Sequence, residues 1–370
     1  RLKNKYLIIM LIMLSLLAAS CSNSEKKQAK AKKSTTTKKA NDVYEPGKPM
    51  SWGHDQTIYV FVDDDVWKES EYYVRYALER PFFTVQNEKL FEVKRGDVKA
   101  LDQFYKYKNL LFICDLSSNK PVATSVKKMM NKEMENYVES KGSGLFAKHN
   151  HWANEQFVVF MIGSNINNLA EFYKRNGNEL FFHYRQKFVQ RIAHKHDKLK
   201  PVDQKLFDKF PFTMQVPENY ILYKSDPEGR FISFIWRSRE DQKLNPDKYI
   251  SIYYEPMPKK QNKVIEQEWV KATRKKIAWD YYDEDEIVDE DVQYGLYKFL
   301  DYPTWYMSGR WQNSKYFIGG TFQSFGFFDE STKIAYLIDT SVYFPQGDKL
   351  KFLMELESIA HSFKAKEVKK

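Results

Sequence analysis

The 370-residue chain holds 59 Lys and Arg against 49 Asp and Glu, a formal charge of +10, and 16% of its residues are aromatic. That excess sits at one end: residues 1–20 carry +3, residues 21–40 carry seven Lys against Glu25, and only +1 is left for residues 41–370. A nearly neutral body argues against a nucleic-acid partner, and two cysteines, Cys21 and Cys114, are too few for a disulfide framework.

Arg1, Lys3 and Lys5 open the sequence, and Tyr6 to Ala19 is an apolar run broken only by Ser15. Such a run falls short of the roughly 20 residues a bilayer span needs but suits the core of a secretory signal. It ends in Leu17-Ala18-Ala19-Ser20-Cys21. This resembles the bacterial lipobox, with Ala18 where leucine is more usual. The expectation is a signal peptide over residues 1–20 and a mature chain beginning at Cys21, whose thiol takes a palmitate-bearing lipid anchor. Residues 21–48, rich in Lys, Ala, Ser and Thr, cannot bury enough surface to order themselves. They read as a tether with a reach of about 30 Å.

The body alternates from residue 49 to about 200. Thr57–Val62 reads as an apolar strand, and Asp63-Asp64-Asp65 offer caps for a helix over Val66–Glu79. Lys89–Arg95 alternates at period two, as a half-buried strand does, and Asp97–Lys106 reads as a short helix. Asn109–Leu116, which contains Cys114, and Gln156–Gly163 are apolar runs typical of buried strands. Helices are expected over Ser125–Ser140 and from Asn165 to Lys195. That order is β-α-β-β-α-β with added helices, the split arrangement of ferredoxin-like sheets. From residue 201 to 370 short strands dominate: Phe212–Val216, Tyr220–Lys224, Arg230–Arg237, Lys248–Glu255, Thr304–Gln312, Lys315–Phe325 and Lys333–Phe344. Helices are expected over Val264–Trp279 and Lys349–Phe363. The fold class is therefore α+β in two domains, a ferredoxin-like sheet followed by an antiparallel sheet with flanking helices.

Several segments together resemble the domain of unknown function 4837 family of bacterial envelope lipoproteins. They are the lipobox, Ile58 through Trp67, Asn109 through Ile113, Phe212 through Pro217, Gly309-Arg310-Trp311, Gly319-Gly320-Thr321-Phe322, Asp339 through Tyr343, and Met354-Glu355-Leu356-Glu357. The resemblance extends over most of residues 50–365. It implies an envelope lipoprotein and no assigned activity, so it carries no catalytic residue onto this chain.

Candidate chemistry is sparse. His149 and His151 could share a metal with Glu155 if a strand presented both on one face, but zinc needs three or four ligands, and a solvated loop is the simpler reading. His194 and His196 sit at i and i+2 of a helix and point apart. Asp280 to Asp291 holds eight carboxylates in twelve residues without the glycine of a calcium loop, next to the basic stretch Lys271–Lys276. Cys114 is expected in the core rather than as a reactive thiol. No Gly-x-Ser-x-Gly, His-Glu-x-x-His or phosphate loop occurs, and Gly319-Gly320 in a strand suggests a bulge or close packing. Trp305, Tyr306, Trp311, Tyr316 and Phe317 would form a stacking face only if the late sheet exposes them.

These readings point to a non-enzymatic binding or assembly module without metal or cofactor. The lipid would hold it at the cell envelope, on the outer membrane facing the periplasm, with an envelope protein as partner. An envelope enzyme acting on cell-wall or glycan material with Asp63 or Asp65, and a glycan-binding lipoprotein using exposed aromatics, are the alternatives.

Overall fold

The first half of the chain runs β1 (Thr57–Val62), α1 (Asp64–Leu78), the hairpin β2 (Pro81–Phe83) and β3 (Asn87–Lys89), β4 (Glu92–Arg95) and the single turn α2 (Leu101–Phe104). It continues through β5 (Asn109–Asp115), α3 (Pro121–Met129), α4 (Lys132–Lys141), β6 (Ser143–His149), β7 (Phe157–Gly163), α5 (Ile166–Arg175) and α6 (Gly177–Asp197). The computed structural model describes residues 44–237 and 245–366, so the expected signal, Cys21 and nearly all of the tether lie outside the described residues. Residues 44–48 are part of the body: Asn154 accepts from the Glu45 N–H at 2.8 Å and donates to the Glu45 and Lys48 carbonyls. The body thus begins a few residues before position 49.

Strands β1, β5 and β7 are apolar at nearly every position and buried on both faces. A strand with two apolar faces needs cover on both sides, which parallel strands joined by helical crossovers provide. The sheet order is β4-β1-β5-β7-β6, with β1 parallel to β4 and β5, β5 parallel to β7, and the edge strand β6 antiparallel. Helices α1, α5 and α6 pack on Ile58, Val60, Leu111 and Val159 on one face. On the other, α3 and α4 pack on Phe61, Phe112, Cys114 and Phe160. This corrects the ferredoxin-like topology: an antiparallel split sheet keeps its helices on one face, and these strands leave neither face for water.

Two expected helices are broken, in each case by asparagine. Asn131 stops the 125–140 helix by accepting the Met134 N–H in its own side chain, so the next helix starts there. Asn176 ends α5, and its side chain donates to the Phe172 carbonyl at 2.9 Å before α6 begins. The segment after Gly142, expected as loop, is β6, paired with β7 from Ser143 to His149.

The second half contains β8 (Phe212–Thr213), β9 (Ile221–Asp226), β10 (Phe231–Trp236), β11 (Asp247–Pro256), α7 (Gln267–Tyr281), β12 (Glu286–Ile287) and β13 (Gln293–Phe299). Then follow β14 (Tyr302–Asn313), β15 (Ile318–Asp329), β16 (Ile334–Tyr343), α8 (Leu350–Ala360) and β17 (Lys364–Ala365). An antiparallel sheet in the order β12-β14-β15-β16-β11-β10-β9, with β13 also on β14, is covered by α7 on one face and α8 on the other. The α+β class and the antiparallel second sheet with flanking helices stand as expected.

Candidate functional site

The Asp63-Asp64-Asp65 run lies where parallel α/β sheets commonly hold ligands, at the carboxyl ends of β1 and β4, in a crevice of about 740 Å³. Its acids are already engaged. Asp63, 8% exposed, accepts the Val122 and Ala123 N–H groups at 3.1 and 3.3 Å. It therefore caps α3, fifty-nine residues on, and makes no side-chain cap to the helix that follows it. Asp64 pairs with Arg95, and Asp65 with Lys120 at 2.6 Å. Hydrogen bonds from these cations hold both carboxyls below the usual range. Glycoside hydrolysis wants one acid held protonated beside an ionised one, and neither Asp64 nor Asp65 is that acid.

The remaining sequence candidates are brought to no common centre. His149 packs on Phe157 and His151 on Trp152 and Phe160, rings that belong to opposite faces of β7. His194 and His196 fall in the last turn of α6. Among the described residues no three His, Cys, Asp or Glu side chains gather as a metal site would require. Cys114 is fully buried, and burial pushes its thiol up to about 12, far from reactive. The acidic run is partly folded into the protein: Asp289 pairs with Lys271 and Lys275, and Asp291 with Arg310. Gly320 is paired in register with Trp311, without a bulge. A Cβ there would stand 2.2 Å from the Val342 carbonyl oxygen, so close packing is the reason for the glycine. The late aromatics split between the two sheet faces. Trp311 is 4% exposed, while Phe317, at the hairpin tip, is 94% exposed with φ of 55°.

A second cleft, about 670 Å³, lies where the two sheets' helices meet. Phe82, Phe83 and Leu90 come from the first half, and Leu350, Leu353 and Met354 from α8. The polar side is tied down. Arg185 of α6 donates to both Glu357 oxygens at 3.0 Å, Tyr306 donates to Gln323, and Gln323 donates to the Leu353 carbonyl at 2.8 Å. Burial raises the Tyr306 hydroxyl to about 12, so it stays a neutral donor. The hairpin wall is fixed by Glu88, 2% exposed, whose Oε2 accepts the Lys349 and Leu350 N–H groups at 2.7 and 2.6 Å. A carboxylate from β3 thus satisfies the first donors of α8 and meets its positive end. Apolar walls with a few fixed polar groups at a junction are the usual make-up of a ligand site. Sequence reading missed this site, because Arg185 and Glu357 are 172 residues apart and neither stands in a motif.

Two solved structures are similar in part. A crystal structure from Bacteroides thetaiotaomicron VPI-5482 is 14% identical with a TM-score of 0.27, the match covering 43% of this chain and 47% of that one. The chain thus spans about half the length of that protein. The Saccharomyces cerevisiae Ran-binding protein Mog1p is 10% identical with a TM-score of 0.29, covering 42% of this chain and 91% of its own. No curated protein matches the chain. Residues 51–197 match a domain of unknown function, DUF8532, and residues 199–362 match a second, DUF4837. The segments Ile58–Trp67 and Asn109–Ile113 therefore fall under the first match, and the resemblance noted in the sequence is confined to the later half. Residues 199–362 thus match the domain of unknown function 4837 family that the later segments resemble.

Proposed function

We propose that the protein is a non-enzymatic binding module of the bacterial cell envelope, held to the membrane by lipid on Cys21, with the junction cleft as its partner site. The partner is an envelope protein that places an apolar segment against Phe82, Phe83 and Leu353. The observation that carries this reading is the composition of the cleft. Phe82, Phe83, Leu90, Leu350, Leu353 and Met354 face fixed polar groups there, and Tyr306 is engaged with Gln323 and Arg185 with Glu357 rather than set as nucleophile and base. The engaged acids of the β1 crevice weigh against the hydrolase alternative, and the burial of Trp311 weighs against a tryptophan stacking face.

The test is made in intact cells. A photoreactive residue replacing Tyr297, at the cleft mouth, should give one defined adduct that the same residue replacing Trp279, exposed on α7, does not. Cys21→Ala should leave the protein out of the membrane fraction and abolish that adduct. Identical adducts from both positions would remove the cleft from the proposal. Membrane retention of the Cys21→Ala protein would remove the lipid.

A further inference from the structure

The α7-covered face of the second sheet runs on past the helix's last residue, Tyr281, and a basin of about 210 Å³ opens there. Aromatic side chains make its walls. Tyr223 lies parallel to Tyr282 with centroids 5.8 Å apart, and Tyr249 stands edge-on to both. Trp311 closes the side toward β14.

The polar side is built around Asn313, 3% exposed. Its Nδ2 donates to the Asp283 carbonyl at 2.9 Å and to Asp285 Oδ1 at 2.8 Å. Its Oδ1 accepts the Lys315 and Tyr316 N–H groups, both at 3.0 Å. One side chain therefore clamps the loop after α7 to the tip of the β14–β15 hairpin. The clamped loop holds two successive non-glycine residues in left-handed backbone, Asp283 at φ 51° and Glu284 at φ 70°. Such strain persists only where the surroundings enforce it, and it is common at binding sites.

Asp285 is the half-buried carboxylate that this arrangement leaves without a cation. Arg237 is forked onto Asp247 at 2.9 and 2.5 Å, Arg274 is committed to Asp339 at 2.8 Å, and Lys315 sits over the Tyr316 ring. Asp283 stands in water at the rim. Among the described residues no Lys or Arg comes within ion-pair distance of Asp285. Burial accordingly pushes its carboxyl up to about 6. Of the charges lining the basin, Arg237 faces Asp247, Asp283 and Asp285, an excess of two negatives that repels anions. A desolvated carboxylate beside electron-rich ring faces is the environment that selects an organic cation. The volume is under the ~300 Å³ at which drug-sized pockets begin, so one amine-bearing group fits rather than a large ligand.

We propose that this basin binds an organic ammonium group, with Asp285 as its counter-charge, the Tyr223, Tyr249 and Trp311 rings as cation–π partners, and Asn313 as the positioning residue. The site is separate from the junction cleft and does not rest on the partner reading.

Calorimetric titration of the full chain with butylammonium chloride, against butanol and methyl glucoside at matched ionic strength, tests it. Saturable binding of the amine alone is expected. Asp285→Asn should weaken it about tenfold, or ~1.4 kcal/mol, while melting cooperatively at or above the wild-type midpoint. Tyr223→Leu, which removes a ring at similar bulk, should weaken it without touching any charge. Equal binding of butanol or the glucoside would make this a neutral-ligand pocket and overturn the proposal. So would amine binding unchanged in both variants, or no binding by any probe.

Discussion

Two titrating side chains pull this protein's acid stability in opposite directions. His151 is held down to about 4 by burial and by the neighbouring Lys148 and Lys48. The folded state therefore resists protonating it, and its contribution, full above about 6.5, is lost as pH falls through 4. Asp285 is the reverse case: a carboxyl raised to about 6 binds its proton more tightly folded than unfolded. Its contribution is present at low pH and lost as pH rises from the ordinary carboxylate range through 6. Asp285→Asn should raise the melting midpoint at pH 7.5, with the gain shrinking to nothing near pH 4. A gain independent of pH would mean that Asp285 is not desolvated. His151→Phe should leave the pH 7.5 midpoint nearly unchanged and flatten its fall between pH 6.5 and 4. Neither residue could be ranked from sequence, since one reads as a loop histidine and the other as one of eight clustered acids. Desolvation is fixed by neighbours brought in from other segments.

Helix α8 joins both cores. Leu353, Leu356 and Ile359 are buried against the second sheet, whereas Met354 packs with the helices of the first. Leu356 is fully buried, so Leu356→Ala loses a side chain that the surroundings cannot refill, at about 2–5 kcal/mol. A lower urea midpoint at unchanged slope is the expected result, and a loss under ~1 kcal/mol would show that the site collapses around the cavity. The amphipathic spacing of this helix was plain in the sequence. So were β1, β5 and β7, because five or six apolar residues in a row between polar turns suit a strand covered on both faces and little else. The breaks at Asn131 and Asn176 were harder to see. At each an asparagine side chain hydrogen-bonds the neighbouring backbone, which periodicity does not register.

The described residues belong to one compact unit, and its two halves meet through Leu350 and Met354 and through polar contacts at the head and side of α8. Glu88→Ala would strip the acceptor from one buried and one partly buried N–H group, at about 1–3 kcal/mol. Hydrogen exchange should then speed up in the first turn of α8 and around β2 and β3 before it changes in β5 or β7. Exchange that rises uniformly would mean that the cap stabilises the fold without joining the halves. The junction cleft depends on the same contacts, so the variant should also reduce the adduct formed from the Tyr297 position.

Composition and local pattern alone carried the concentration of positive charge ahead of the body, the α+β class, the identity of the buried strands and the poverty of catalytic motifs. Each of these is a property of residues close together in the chain. Strand order, the cap that Asp63 gives to α3, the Arg185–Glu357 fork and the clamp made by Asn313 were decided only by tertiary structure. Pairing a strand through its backbone leaves no mark on its side chains, and an isolated Asp, Glu or Asn reads as one more solvated residue until the fold removes water from around it.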